Sequence, residues 1–138
     1  MTLKSVIRKV IAHIPIAALG GILYMGIELL WRGHTHWTMG VLGGVCFAAI
    51  GLLNEGSRPP PVLVQMLVSA MLVTALELVA GLVLNVWLGL GIWDYSSMPG
   101  NLLGQICPRY SFAWFLLSWV AIRVEDGIHK MKEYIKCR

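Results

Sequence analysis

The chain has 138 residues, enough for one domain, of which 57% are hydrophobic and only 13% charged. A soluble domain carries roughly 25% charged residues; here the mean hydropathy is +0.72 and the charges gather at the ends of long apolar runs, which excludes an ordinary water-soluble globule. The net charge of +4 sits in two terminal clusters, Lys4, Arg8 and Lys9 and then Arg123, Lys130, Lys132, Lys136 and Arg138, a placement that suits anionic headgroups and not a nucleic-acid groove.

In chain order, Val6, Ile7, Val10, Ile11 and Ile14 recur at helical spacing among basic residues. This predicts a short N-terminal helix lying at the membrane interface, with Pro15 permitting a bend into the bilayer. The basic start and apolar run also fit a signal peptide. The run continues past any cleavage point and carries Glu28, so it is read as retained. A first span is expected over about 14–31, a polar connection over Arg32-Gly33-His34-Thr35-His36, and a second span over about 37–53. Asn54-Glu55-Gly56-Ser57-Arg58-Pro59-Pro60-Pro61 is a break.

The third apolar run, Val62 to Trp93, exceeds the roughly 20 residues that cross a bilayer. A span over about 62–91 must therefore tilt, project beyond the lipid, or kink near Gly81 or Gly89. Residues 94–108 are too apolar for an ordinary loop and too polar to span. They are expected to form an irregular re-entrant or interfacial segment packed on protein, because bare irregular backbone cannot face lipid. A fourth span is expected over about 110–124, followed by a charged tail. The fold class is thus an all-α integral membrane protein: one transmembrane domain over 1–138, built as a four-span helical bundle.

With four spans both termini share a side with Arg58. That side holds nine of the eleven Lys and Arg, against Arg32 and Arg109 on the other; this predicts cytoplasmic termini. Gly40 and Gly44, continued by Ala48 and Gly51, offer one face for close helix approach. Four spans seldom enclose a pathway alone, so a homodimer through the Gly40/Gly44 face is a natural extension. Trp31, Trp37 and Trp93 are expected at the outer boundary as an aromatic belt, and Trp87, Trp114 and Trp119 as packing residues. Cys46, Cys107 and Cys137 are widely spaced and carry no CxxC, which gives neither a disulfide framework nor a zinc site.

Polar residues at depth carry the functional content. An acidic side chain inside a span costs roughly 2.5–3.5 kcal/mol unless paired or hydrated, yet Glu28 and Glu77 both fall in the outer halves of predicted spans. Tyr24, Glu28 and Arg32 share one helix face, as do Thr74, Glu77, Gly81 and Asn85. The candidate ligand or ion site gathers Glu28, Arg32, His34, His36, Glu77, Asn85, Asp94, Asn101 and Gln105 in one outer cavity. Three uses of it are open. It binds or passes a polar small molecule or ion, with Glu28 or Glu77 trading a proton for it; it is structural glue, as in a scaffold subunit; or His34 and His36 serve as base or ligands in a membrane enzyme. Binding is the leading use and an enzyme the least favoured. At the inner side Asn54 and Glu55, joined by Gln65, face a pairing with Arg123, Glu125 and Asp126, or simply solvated helix ends. The sequence has no P-loop, GxSxG, HExxH or SxxK pattern, and no cofactor or metal site is expected.

The run Arg32-Gly33-His34-Thr35-His36-Trp37-Thr38-Met39, then Gly43-Gly44, Phe47 and Asn54-Glu55, resembles the first half of the bacterial family described as "putative ABC-transporter type IV". Glu77, Gly81 and Asn85, then Trp93-Asp94-Tyr95-Ser96, Pro99, Asn101 and Gly104-Gln105-Ile106-Cys107, resemble its second half. Pro108-Arg109 and Glu125-Asp126 differ from the residues usual at those positions. The resemblance covers about residues 15–127. It implies a permease-like, multi-pass protein of the bacterial cell membrane, with a separate ATPase subunit as partner.

Overall fold

The computed structural model describes residues 2–53 and 58–138. It is all-α, with 76% of the described residues helical, and among them no strand forms beyond one isolated bridge between Leu102 and Ile106. Four α-helices follow one another: α1 (Leu3–Arg32), α2 (Trp37–Leu52), α3 (Val62–Gly81) and α4 (Pro108–Lys136). Two of the apolar stretches, Leu3–Arg32 and Val62–Trp87, are long and apolar enough to cross a membrane; Trp37–Leu52 is apolar but shorter. Only 17% and 22% of the residues in their most apolar windows are buried, the reverse of a soluble core helix, whose apolar residues face protein. The chain divides into two compact units, Met1–Ala49 and Ile50–Arg138.

In the first unit no break at Pro15 sets a separate N-terminal helix apart from the expected first span. α1 is one continuous helix with Pro15 inside it. Proline there removes a single N–H bond to the preceding turn, and at 30 residues the helix reaches about 45 Å, more than a bilayer core. Ile7, Ile11, Ile14, Ile22 and Leu30 are exposed along it. Gly33, at φ 76°, ends the helix by donating its N–H to the Leu29 carbonyl; the left-handed turn needs a residue without Cβ.

α1 and α2 form an antiparallel pair whose backbones nearly touch. A Cβ on Gly21 would strike the Gly40 carbonyl, and one on Gly44 would lie 2.5 Å from the Ala17 carbonyl oxygen. Gly43 sits against Tyr24, and Gly20 beneath Phe47. The small-residue face of α2 is therefore covered by α1 of the same chain, which corrects the expectation that Gly40 and Gly44 receive a second copy. Cys46 is buried as a small filler in α2.

In the second unit α3 packs along α4. Gln65 steadies the start of α3 by donating its side-chain amide to the Pro60 carbonyl at 2.8 Å. After Gly81 the helix widens into a π-helical stretch, Leu82–Trp87, and stops before Gly89 (φ 66°) and Gly91 (φ 58°). The overlong run is thus resolved by a change of helix type at Gly81 and a halt at Trp87, not by extension to residue 91. Residues 88–107 are irregular, so the irregular segment expected over 94–108 begins earlier, at the end of the π-helical stretch. Pro108, whose missing N–H costs nothing at a first helical position, opens α4. α4 then continues to Lys136, so the charged tail is helical rather than a separate segment after residue 124.

The tryptophans depart from expectation at Trp87, Trp93 and Trp119, the last being exposed and not a packing residue. Trp31 and Trp37 are exposed as a belt requires, but Trp93 is buried and Trp87 is 78% exposed. The helical stretch ends at Trp87, so that residue, not Trp93, stands exposed at its end.

Candidate functional site

The first unit builds a cluster on Glu28, which is 6% exposed. One turn on, Arg32 donates from one guanidinium nitrogen to Glu28 Oε1 at 3.1 Å, and the Thr35 hydroxyl donates to Oε2 at 3.1 Å. The other guanidinium nitrogen donates to His34 Nε2, while His34 Nδ1 lies 3.1 Å from the Arg32 carbonyl oxygen. Only a neutral ring with its proton on Nδ1 satisfies both contacts. His36 has a different task. Its Nδ1 accepts from the Thr38 amide and lies 2.7 Å from the Thr38 hydroxyl, fixing the first turn of α2. The cluster holds one carboxylate and one guanidinium, so charge is balanced where hydration is scarce.

The second unit builds a deeper cluster on Glu77, which is 3% exposed. The Tyr95 hydroxyl donates to Oε1 at 2.9 Å and the Trp114 indole donates to Oε2 at 3.0 Å. Three elements meet at this carboxylate: α3 supplies it, the irregular segment supplies the phenol, and α4 the indole. Tyr95 is itself stacked on Tyr110 at 4.7 Å between ring centres and tied by its backbone N–H to the Gly104 carbonyl. Thr74 and Ser111 pair at 2.9 Å across the same helices. Both of those donors to Glu77 are neutral, so they stabilise negative charge without cancelling it.

The remaining candidates organise the irregular segment. Asn85 donates to Gln105 Oε1 at 2.9 Å and accepts the Ile92 amide at 2.7 Å. Gln105 donates to the Leu103 carbonyl, and its own backbone carbonyl accepts the Trp93 indole at 3.0 Å. Asn101 donates to the carbonyls of Ser96 and Met98 and accepts the Gly104 amide. Gly81 makes room for this clasp, since a Cβ there would lie 2.5 Å from Gln105 Oε1. Leu103 is held at φ 55°, next to Gly104 at φ 72°, where the chain turns back. These amides satisfy backbone groups that could not otherwise be buried.

Asp94 is exposed and accepts the Ser96 amide at 2.9 Å. Hydrogen bonds from the Ser96 side chain and then its backbone hold this carboxyl below its ordinary value.

The nine candidates thus fall into Glu28, Arg32, His34 and His36 in one unit and Glu77, Asn85, Asp94, Asn101 and Gln105 in the other. Sequence reasoning missed Thr35, Tyr95 and Trp114 as partners of the two carboxylates. The signal was present for Trp114, because a buried indole N–H requires an acceptor and α3 offers a carboxylate. Of the inner-end residues, Asn54 and Glu55 lie outside the described residues. Arg123 stacks over the Trp119 ring at 5.6 Å.

Against known families, the model described as "putative ABC-transporter type IV" matches residues 16–136. The chain belongs to that family. The match spans both units and every candidate residue, including the clasp around Gln105. No curated protein and no solved structure matches the chain.

Proposed function

We propose that this member of the ABC-transporter type IV family is a multi-pass subunit of the bacterial cell membrane that binds a polar small molecule or ion in its outer half. α1, α2, the α3 stretch and the first half of α4 are its four spans, and both termini are cytoplasmic. The family description and the two long, lipid-compatible helices support the membrane and transport setting. Glu77 carries the ligand reading: a carboxylate 3% exposed, reached by donors from two other elements, is a group that can exchange partners when those elements move. Glu28, Arg32 and His34 form a polar cluster of the first unit, and Asn85, Asn101 and Gln105 hold the irregular segment beside Glu77 in the second. A proton taken up by Glu28 or Glu77 is exchanged for the ligand. His34 and His36 are engaged in local bonds, which favours binding over chemistry at those rings. Because the sequence has no P-loop, ATP-driven transport requires a separate ATPase subunit. A homodimer would use a face other than that of Gly40 and Gly44.

The test is a screen of monovalent and divalent cations, amino acids and small anions for a rise in unfolding temperature of the purified protein at two pH values. At least one is expected to stabilise the wild type in a pH-dependent way and to lose that effect in E77Q or E28Q. A folded E77Q and E28Q pair that responds with wild-type affinity and pH dependence removes the idea. A second reading, a scaffold subunit, draws support from the full use of Asn85, Asn101 and Gln105 on backbone. It expects E77Q to lower stability with no solute acting on either protein.

A further inference from the structure

A second buried carboxylate lies in the same helical pair. Glu125 on α4 is 1% exposed, and among the described residues neither of its oxygens accepts an aligned hydrogen bond. Trp114, which serves Glu77, is eleven residues earlier on α4, so the two carboxylates are separated by about 16 Å along that helix. Gly51 presses on Glu125, since a Cβ there would lie 2.9 Å from the carboxyl carbon and Oε1. The glycine creates the space that the carboxyl group fills. One turn further along α4, His129 brings Nε2 to 2.8 Å from Oε1 while 41% of its own side chain remains exposed. The contact is within ion-pair distance without hydrogen-bond alignment.

We propose that Glu125 and His129 form a proton-binding site, with the buried carboxylate as acceptor and the half-exposed imidazole as its path to solvent. The physical reason is the cost of leaving a carboxylate in a dry site with no aligned donor; binding a proton removes the charge. A proton from solvent forms a bond to His129 Nδ1, the Nε2–H bond breaks, and that proton bonds to Glu125 Oε1. The ring is left neutral in the other tautomer, and one proton has moved inward. The surroundings do not supply a competing charge from α3, whose buried face carries Gln65 and Ser69 and no ionisable residue before Glu77. Ser69 is fully buried with its hydroxyl unpartnered among the described residues. Gly51 faces the site from the last turn of α2, and along α4 the charged neighbours in sequence are Arg123 and Asp126 before His129 and Lys130, Lys132 and Glu133 after it. Ser118, about two turns before Glu125 on the same buried face of α4, returns its hydroxyl to the Trp114 carbonyl. This inference stands apart from the ligand reading, because it needs no solute and no role for Glu77.

Infrared titration of the full-length protein in lipid nanodiscs tests it, over about pH 5–8 where histidine exchanges protons. A protonated-carboxyl band is expected to grow as pH falls, to vanish in E125Q, and to persist in E77Q. In H129A, altered only at a half-exposed residue, proton–deuteron exchange at that band should slow roughly a hundredfold. A band equally strong in folded E125Q overturns the proposal. If E125Q does not fold, H129A decides: slowed exchange upholds the site, and exchange at the wild-type rate overturns it.

Discussion

Glu77 is the residue on which most of the second unit turns. Its two oxygens face a phenol and an indole, so replacing one oxygen with an amide nitrogen sets a donor against a donor. Y95F and W114F each remove one of these bonds and should each lower unfolding stability by about 1–2 kcal/mol. E77Q should cost at least as much as either, measured by reversible unfolding in mixed micelles. Asp94 gives a pH-dependent counterpart at the surface. Its carboxyl is held low by the Ser96 side chain and backbone, so the ionised form favours the turn. That contribution is complete above the ordinary value of 3.8 and is lost as pH falls through the lower folded value. The protection factor of the Ser96 amide, its exchange corrected for the intrinsic pH dependence, should therefore fall on acidification in the wild type and stay constant over that window in D94N. That Glu28 and Glu77 need company was legible from the sequence by the cost of charge at depth. Which donors supply it was not, because Tyr95 and Trp114 are eighteen and thirty-seven residues from Glu77 and no periodicity links them.

Among the elements, the close pairing of α1 and α2 makes the sharpest contrast. Gly44 faces backbone, which cannot move aside, whereas Gly26 on α1 has nothing within 4 Å of its would-be Cβ. G44A should destabilise by on the order of 1–3 kcal/mol, while G26A should be neutral or stabilising by up to about 1 kcal/mol; thermal unfolding of the two variants separates them. Gly81 has the same character toward the Gln105 side chain, so G81A should loosen the 88–107 segment and expose Trp93 to a quencher. The small-xxx-small spacing announced a close contact but not its partner, since a glycine face fits a second copy as readily as a neighbouring helix. Pro15 misled for a related reason. A proline in an apolar helix costs one hydrogen bond, and where the helix is long enough that loss leaves it continuous. The change of helix type after Gly81 follows from a run too long for one crossing, which fixed the need for an irregularity near that glycine without fixing its form. In α4, charges after Val124 read as the end of a span; they mark a change of surroundings along one helix.

At the scale of the whole molecule, long apolar runs with charges at their ends pointed to an all-α chain, which the described residues form, and Ile22, Leu30, Leu67, Met71 and Val79 stand exposed on its helices. The proposed topology makes a direct prediction from a natural probe. Cys137 is exposed near the C-terminus, while Cys46 and Cys107 are buried. A membrane-impermeant maleimide should label Cys137 only in inside-out vesicles, and a cysteine placed at His34 only in right-side-out ones. The membership of the chain in the transporter family sets the context; the proposed function rests on Glu77 exchanging its phenol and indole donors for a ligand. The most direct measurement follows the indole N–H resonance of Trp114, assigned through W114F in protein labelled at tryptophan nitrogen, while the solutes of the stabilisation screen are added. The account predicts that a stabilising solute moves the Trp114 signal at saturation and leaves that of Trp93, bound to the Gln105 carbonyl, in place. A Trp114 signal unmoved by every solute, or by one that still binds and stabilises, would contradict it.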